Sequence, residues 1–511
     1  MAGEAVRGHP QQRERLCVLS RCFDRLPVLG TLQILIGHEA DMGGERVDGT
    51  AMLTVTRTGE HVHLVHSGSR PPDRLRRLAG LLTPVRPGEA VVAVGAPLPD
   101  GDAEQLCRLL APALESSLEA HVRLLVLLMA EGASGRASGF SVAELISEQW
   151  RLDVLATAGS ALVTEDGSLF SPDLPGASGG WWHFSSGASP RSVGSHLPVP
   201  GWRSAVRRVG RQNVGGYVVE PVPAGLAIRR SGPASVAAHT RPLALPPERE
   251  RPQLVLMSSD VPAAALAVVM AALPDHVRNL MRLVSLDGRP LLRTGQELAD
   301  LLGSDVRLAV GAPPADGGSC WEVVSSTDVA AELGMTDAEG EFWRPFARTV
   351  VCSPAGAGGE RVVRVTECRM PPVLGGTTDR TAPGHTPIGR VVVTAAGLWI
   401  GPGGTSPPYA ATVRPPCRDT LAVELGSPGR VFDEDLWKGL AVLLERLESD
   451  LRRRVVVHTH GDLAAKDRAR LDELCARHRI GSGRGHDGEH AHQGVLTGPD
   501  GRMGSGSVPR G

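Results

Sequence analysis

The residues best suited to chemistry stand together at Val457-His458-Thr459-His460-Gly461-Asp462. Alternate side chains of a strand share a face, so His458 and His460 project to one side, where Asp462 can join them on a metal ion. The plainer alternative is a strand end with polar residues at a sheet edge. His61, His63 and His66 alternate similarly, with His38, Glu39 and Asp41 upstream, and a solvated strand face is the expectation for them. His486, His490 and His492 fall in a Gly- and Ser-rich stretch read as disordered. Eight cysteines (Cys17, Cys22, Cys107, Cys320, Cys352, Cys368, Cys417 and Cys475) are scattered without a CxxC pair, which suggests neither a disulfide framework nor a zinc ribbon. Cys107 and Cys475 lie on helix faces and read as small buried hydrophobes.

Other motifs are weaker. Gly401–Gly404 and Gly210–Gly216 match neither a P-loop nor a dinucleotide fingerprint, and Ser134 and Ser138 lack a GxSxG elbow, so no cofactor is expected. Arg203, Arg207, Arg208 and Arg211 have the chemistry to meet phosphate or an acidic partner. With aromatics at 3% of the chain, they read first as a solvated linker.

The elements that must position these residues follow a recurring order. Val91–Val94, a helix from Ala103 and Arg123–Leu128 form one strand–helix–strand unit, and Leu421–Val423, a helix from Phe432 and Val455–Val457 form another. At one constant offset Leu106, Leu110, Ala111, Leu114 and Glu115 fall on Leu436, Leu440, Ala441, Leu444 and Glu445, which is one face of an amphipathic helix. A shorter version runs from Leu254–Met257 through Ala263–Leu273 to Arg282–Leu286. This rhythm predicts an α/β chain of repeated strand–helix–strand modules with mostly parallel sheets, two full and one truncated. The expected divisions are an arm at 1–22, a first module at 23–202, a second at 217–347, a Gly/Pro-rich linker at 348–389, a truncated third at 390–480 and a disordered tail at 481–511. Ser141 with Glu144 reads as a capping box, Glu165-Asp166-Gly167 as a hairpin turn, and Cys320–Val323 as the second module's counterpart of the aromatic segment Trp181–Phe184. Adjacent strand residues face opposite ways, so one of Trp181 and Trp182 is expected at the surface or against a neighbouring module.

At 511 residues and 41% hydrophobic content the chain has room for roughly three cores. A formal net charge of −2 supplies no global field for nucleic acid or anionic membrane. Lysine occurs only at Lys438 and Lys466, and the abundance of Arg, Gly and Pro reflects a GC-rich coding bias more than a function. The longest apolar stretch, Val261–Leu273, is too short to span a bilayer and ends at Pro274, so a cytoplasmic protein is expected.

The order of elements resembles the caspase-like (clan CD) cysteine peptidase fold of bacterial mosaic and toxin-like proteins. In that family one strand ends in His-Gly and the next in a Cys, often within Ser-Cys-Glu-Thr-Gly. A helix, a Val-Tyr-Ala-Pro-Thr-Gly strand and a Trp-x-x-Phe hairpin follow. Here Met129-Ala130-Glu131-Gly132, Val142–Leu145, Val154–Gly159 and Trp181–Phe184 stand at those places. The resemblance implies a thiolate beside an imidazole, because a thiol alone is a poor nucleophile at neutral pH. This chain offers Ala130, Leu286 and His458 to His460 at the three nucleophile positions, and Gly95-Ala96, Ser258-Ser259 and Leu425-Gly426 at the preceding strand ends. The expectation is therefore a pseudoenzyme without catalytic residues, serving as a scaffold whose partner is another protein, with a toxin-associated or immunity-type binding protein as a variant. The rival is a hydrolase, either a cysteine enzyme or one dependent on a metal held by His458, His460 and Asp462. His458, His460 and Asp462 resemble the first part of the HxHxDH signature of metallo-β-lactamase-fold enzymes, but Leu463 replaces the final His.

Overall fold

The computed structural model describes residues 33–35, 53–82, 86–95, 103–134, 140–164, 167–172, 179–232, 241–258, 260–311, 345–356, 361–369, 385–386, 389–417 and 419–483. In the first large sheet four parallel strands run side by side: β1 (Val62–Ser67), β2 (Glu89–Val94), β3 (Leu124–Leu128) and β4 (Asp153–Thr157). Leu53–Arg57 flanks β1 antiparallel; Trp181–Phe184 and then Arg191–Gly194 flank β4. Between the parallel strands lie α1 (Asp73–Leu82), α2 (Ala103–Glu119) and α3 (Val142–Trp150). The Ser141 side chain accepts a hydrogen bond from the Glu144 amide at 3.1 Å, so α3 begins at the expected cap.

Both faces of this sheet are covered. Val92 and Leu127 pack with Leu106, Leu110 and Leu114 of α2 on one face, while Val91, Ala93 and Leu128 pack with Leu75 and Leu78 of α1 on the other. Parallel strands buried this way read as continuous apolar runs. The same covering corrects the expectation for the paired tryptophans. Trp181 is fully buried in the α1-side core, and Trp182 packs partly buried against the α2-side core.

A short helix, α4 (Arg203–Val209), precedes the second large sheet. Its parallel strands are β5 (Gly225–Arg230), β6 (Gln253–Leu256), β7 (Arg282–Ser285) and β8 (Val306–Ala309), with α5 (Ala263–Ala271) and α6 (Leu292–Leu302) between them. Antiparallel strands flank them on both sides: Gln212–Val214 and Tyr217–Val222 before, Ala347–Ser353 and Val362–Cys368 after. The third large sheet has parallel β9 (Gly397–Gly401), β10 (Leu421–Leu425), β11 (Val455–Thr459) and β12 (Gly481–Gly483). His385–Thr386 and Gly389–Val393 precede it antiparallel, and α7 (Glu434–Arg446) and α8 (Ala465–His478) lie between its strands.

The fold is α/β with mixed sheets, where mostly parallel sheets were expected, because each parallel group is bordered by antiparallel strands. The stretch from 348 read as a linker contains Ala347–Ser353 and Val362–Cys368, whose β-branched runs pair with each other and with β8. Gly481–Gly483, read as the start of the tail, pairs with β11. The segment Cys320–Val323 lies outside the described residues. The chain packs as two compact units, the first holding the first two large sheets and the second holding the third.

Within the first unit, a small antiparallel sheet (33–35, 161–163, 169–170, 196–197) joins the first large sheet to the second. Leu162 and Phe170 share an apolar cluster with Val222, Ala224 and Val255. His196 sits in the join, 2% exposed, with Phe170 and Trp202 edge-on to its ring. A carbonyl can only accept, so Nε2–H donates to the Pro223 oxygen at 2.9 Å, and the Ser195 hydroxyl donates to Nδ1 at 2.9 Å. Burial first, and the Arg203 charge after it, lower the His196 pKa to about 4 against the favourable carbonyl bond.

The unfolded chain therefore binds, between pH 6.5 and 4, a proton that folded His196 refuses. Stability from this group is complete above the unfolded pKa and falls as pH drops toward 4, by about 3 kcal/mol in all. Denaturant melts of wild type and His196→Gln are expected to converge from pH 7 to pH 4.5; a pH-independent difference contradicts this assignment. In the second unit Leu440 is fully buried on α7, and Leu440→Ala should cost about 2–5 kcal/mol in the same assay.

Candidate functional site

The carboxyl ends of the parallel strands are where open α/β sheets place their ligands and chemistry. In the third sheet this edge holds a carboxylate the chain has no apolar reason to keep. Glu424 interrupts the run Leu421-Ala422-Val423-Glu424-Leu425 on an interior strand, and it is fully buried. In the ladder Trp399 of β9, Glu424 of β10 and His458 of β11 stand directly across from one another, so their side chains share one face. His460, two residues beyond His458, reaches back across β10. Its Nε2 donates to Glu424 Oε2 at 2.6 Å, with the His460 side chain only 10% exposed.

Backbone packing holds this pair in place. The His460 amide donates to the Leu425 carbonyl at 2.8 Å, and the Gly426 amide to the Ile400 carbonyl at 2.9 Å. Trp399, fully buried, donates its indole N–H to the Gly426 carbonyl at 2.8 Å. A Cβ at Gly401 would meet the Trp399 ring at 1.8 Å, so only glycine admits the indole. Gly426 has φ +85°, and a Cβ there would meet the His460 carbonyl oxygen at 2.9 Å and the Phe432 ring at 3.0 Å. Asp433 caps α7 through the Leu436 amide, and Glu434 binds Arg470 of α8 bidentately at 2.6 and 2.7 Å, tying together the helix starts that follow the two strands.

Of the sequence-predicted metal residues His458, His460 and Asp462, only the histidines share the Glu424 face; Asp462 is exposed in the loop beyond. Among the described residues no three His, Cys, Asp or Glu side chains are grouped to hold a metal ion. The strand end is not at a sheet edge, since β11 pairs with β10 and β12. The arrangement is a carboxylate-oriented imidazole: Glu424 fixes the ring through Nε2 and leaves Nδ1 as the atom able to accept a proton or bond a ligand.

The solvated strand face expected for His61, His63 and His66 is not found: His63 is 5% exposed and His66 fully buried. His66 Nε2 bonds Thr56 Oγ1 at 2.8 Å, and burial foremost holds the His63 pKa below its ordinary value. His38, Glu39, Asp41, His486, His490 and His492 lie outside the described residues, as do Cys17, Cys22 and Cys320. Just past the ends of β3 and β7, Ala130 is half-buried and Leu286 buried. Burial drives the thiols away from reactivity, raising Cys107 to about 11 and Cys352 to about 12, with Cys368 and Cys475 also raised.

Glu424 and His196 were not singled out from the sequence. The signal for Glu424 was present, a lone carboxylate inside an otherwise apolar parallel strand; its partner, 36 residues away, becomes evident only in the sheet register. The chain matches no protein-family model, no curated protein and no solved structure.

Removing the imidazole strands a buried carboxylate. His460→Ala is therefore expected to lower unfolding free energy by about 3–5 kcal/mol, and the double variant with Glu424→Gln to recover part of that loss. A His460→Ala cost below about 1 kcal/mol in urea melts would show that the pair contributes little.

Proposed function

We propose that this chain is a non-catalytic interaction protein, built from three copies of a caspase-like α/β unit that has lost its peptidase chemistry. The observation that carries the reading is the state of the thiols: Cys107, Cys352, Cys368 and Cys475 are pushed toward the protonated form by burial, and the strand ends offer Ala130 and Leu286 where the family has its nucleophile. The kinship of the copies is supported by a shared plan, four adjacent parallel strands bordered by an antiparallel strand before the first of them, in all three large sheets. No helix among the described residues is long and apolar enough to cross a membrane. The partner in this reading is another protein, in a bacterial cytoplasmic setting.

A second reading, hydrolysis at the third sheet, is favoured by one observation, the buried Glu424–His460 bond at the carboxyl edge. Such a pair is the base-and-orienter half of a nucleophilic site.

Thiol-reactive probes separate the first reading from a cysteine enzyme. Native protein at neutral pH is expected to label slowly and without selectivity, because the thiolate fraction of a buried, raised thiol is very small. Rapid, stoichiometric labelling of one cysteine would overturn the reading. Turnover of an activated ester that vanishes in a folded His460→Gln variant would replace it with the second.

A further inference from the structure

The acid-free stretch around α4 is the part of the molecule that neither reading uses. From Leu174 to Val219 the sequence has no Asp or Glu but contains Arg191, Arg203, Arg207, Arg208 and Arg211, a local charge of +5 in a chain of net −2. Arg203 is 9% exposed, whereas Arg207, Arg208 and Arg211 are exposed. Among the described residues these four have no carboxylate at ion-pair distance, although Arg229 and Arg230, on the next strand pair, bind Glu220 and Asp260. A covered guanidinium without a counter-ion is unusual, since buried charges are ordinarily paired.

The place of Arg203 is built. The edge strand Arg191–Gly194 breaks register between Ser192 and Gly194, which turns the Val193 carbonyl onto the guanidinium as its hydrogen-bond acceptor. Gly194 has φ +102°, and a Cβ there would fall 1.0 Å from Arg203 Nη2, so the planar head lies against bare backbone. One carbonyl accepts from a group with five N–H donors. Burial, and then the neighbouring Arg207 charge, hold Arg203 below its ordinary pKa, the direction a nearby anion would reverse.

We propose that Arg203, Arg207, Arg208 and Arg211 form a docking surface for an acidic segment of a partner protein, with Arg203 as the oriented anchor for one carboxylate and the exposed arginines meeting those that follow. The proposal rests on the interaction-protein reading and names the chemistry of its partner. Charge complementarity selects the occupant: the stretch carries arginines and no acid of its own, and a guanidinium fork matches a carboxylate with two parallel hydrogen bonds. Aromatic side chains for stacking bases are not interleaved with these arginines, which sets a nucleic-acid strand behind an acidic peptide.

The test uses the full chain and a fluorescent synthetic peptide of alternating Glu and Ser, with a Gln-for-Glu peptide and a single-stranded oligonucleotide as comparisons. The acidic peptide is expected to bind saturably and the Gln peptide not at all. Arg207→Gln with Arg208→Gln should weaken binding at least about tenfold with thermal unfolding unchanged. Arg203→Lys, which keeps the charge and loses the fork, should weaken it by a similar factor. Equal binding by wild type and both variants, no peptide binding, or tighter binding of the oligonucleotide would overturn the proposal. Should Arg203→Lys unfold the protein, the exposed double variant alone decides. If the peptide fails while the cysteines stay unlabelled by thiol probes, this surface falls and the interaction reading stands; selective labelling removes the reading itself.

Discussion

Burial of the first sheet's parallel strands on both faces is the constraint on which its organisation depends. A strand flanked by two others in the ladder, with helices above and below, has no side for water, so its side chains must be apolar or bonded to a partner. Among the buried residues of β2 and β3 the solution is apolar, with Val91 and Ala93 facing α1 and Val92 facing α2. The third sheet departs from it once on β10. Glu424, fully buried there, is tolerable because His460 comes back over the strand end to bond it, and because Gly426 and Gly401 leave room for the imidazole's backbone and the Trp399 indole. A carboxylate kept at such a position, at the end of the sheet where this architecture places its chemistry, needs its imidazole for stability whatever else the pair does.

The joins between sheets obey the same rule with different residues. The small antiparallel sheet of the first unit brings the His196 ring against the second large sheet, where one ring nitrogen donates to the Pro223 carbonyl and the other accepts from the Ser195 hydroxyl. A neutral imidazole is the only side chain that can do both within one ring, and the apolar cluster of Leu162, Phe170 and Val255 keeps it neutral. Trp202 extends the join by donating its indole N–H to the Glu248 carbonyl at 2.8 Å. Arg203 follows immediately, so the crossover from one sheet to the next is also where a guanidinium is fixed on the Val193 carbonyl.

What was legible in the sequence was local and periodic. The pairs 91–94 with 124–128, 254–256 with 283–285 and 421–425 with 455–459 are parallel neighbours, and the Leu106–Leu110–Leu114 and Leu436–Leu440–Leu444 faces are buried, because helical spacing of leucines leaves few other solutions. The border strands were harder to see. Ala347–Ser353 and Val362–Cys368 lie between Gly- and Pro-rich stretches whose composition masks the strand signal, although Val350, Val351 and Cys352 have the apolar run of an interior strand. Polar pairs were illegible for a different reason. Glu424 with His460, and His196 with Pro223, are separated along the chain by tens of residues, and no periodicity links them; only the register of parallel neighbours brings Glu424 opposite His458 and so within reach of His460.

These two kinds of polar residue differ in what their surroundings allow. His196 and Glu424 are spent on the fold, since each already has its partner and little exposed surface. The buried thiols are likewise spent on packing, because an apolar pocket that raises a thiol pKa to about 11 or 12 removes the nucleophile while keeping the side chain as a good filler. The α4 arginines are the opposite case, charged, largely exposed and without acids near them in the sequence. Burial thus decides which of these groups keep their chemistry: Cys107 and Cys352 are enclosed and held protonated, while Arg207, Arg208 and Arg211 stay charged and in contact with solvent.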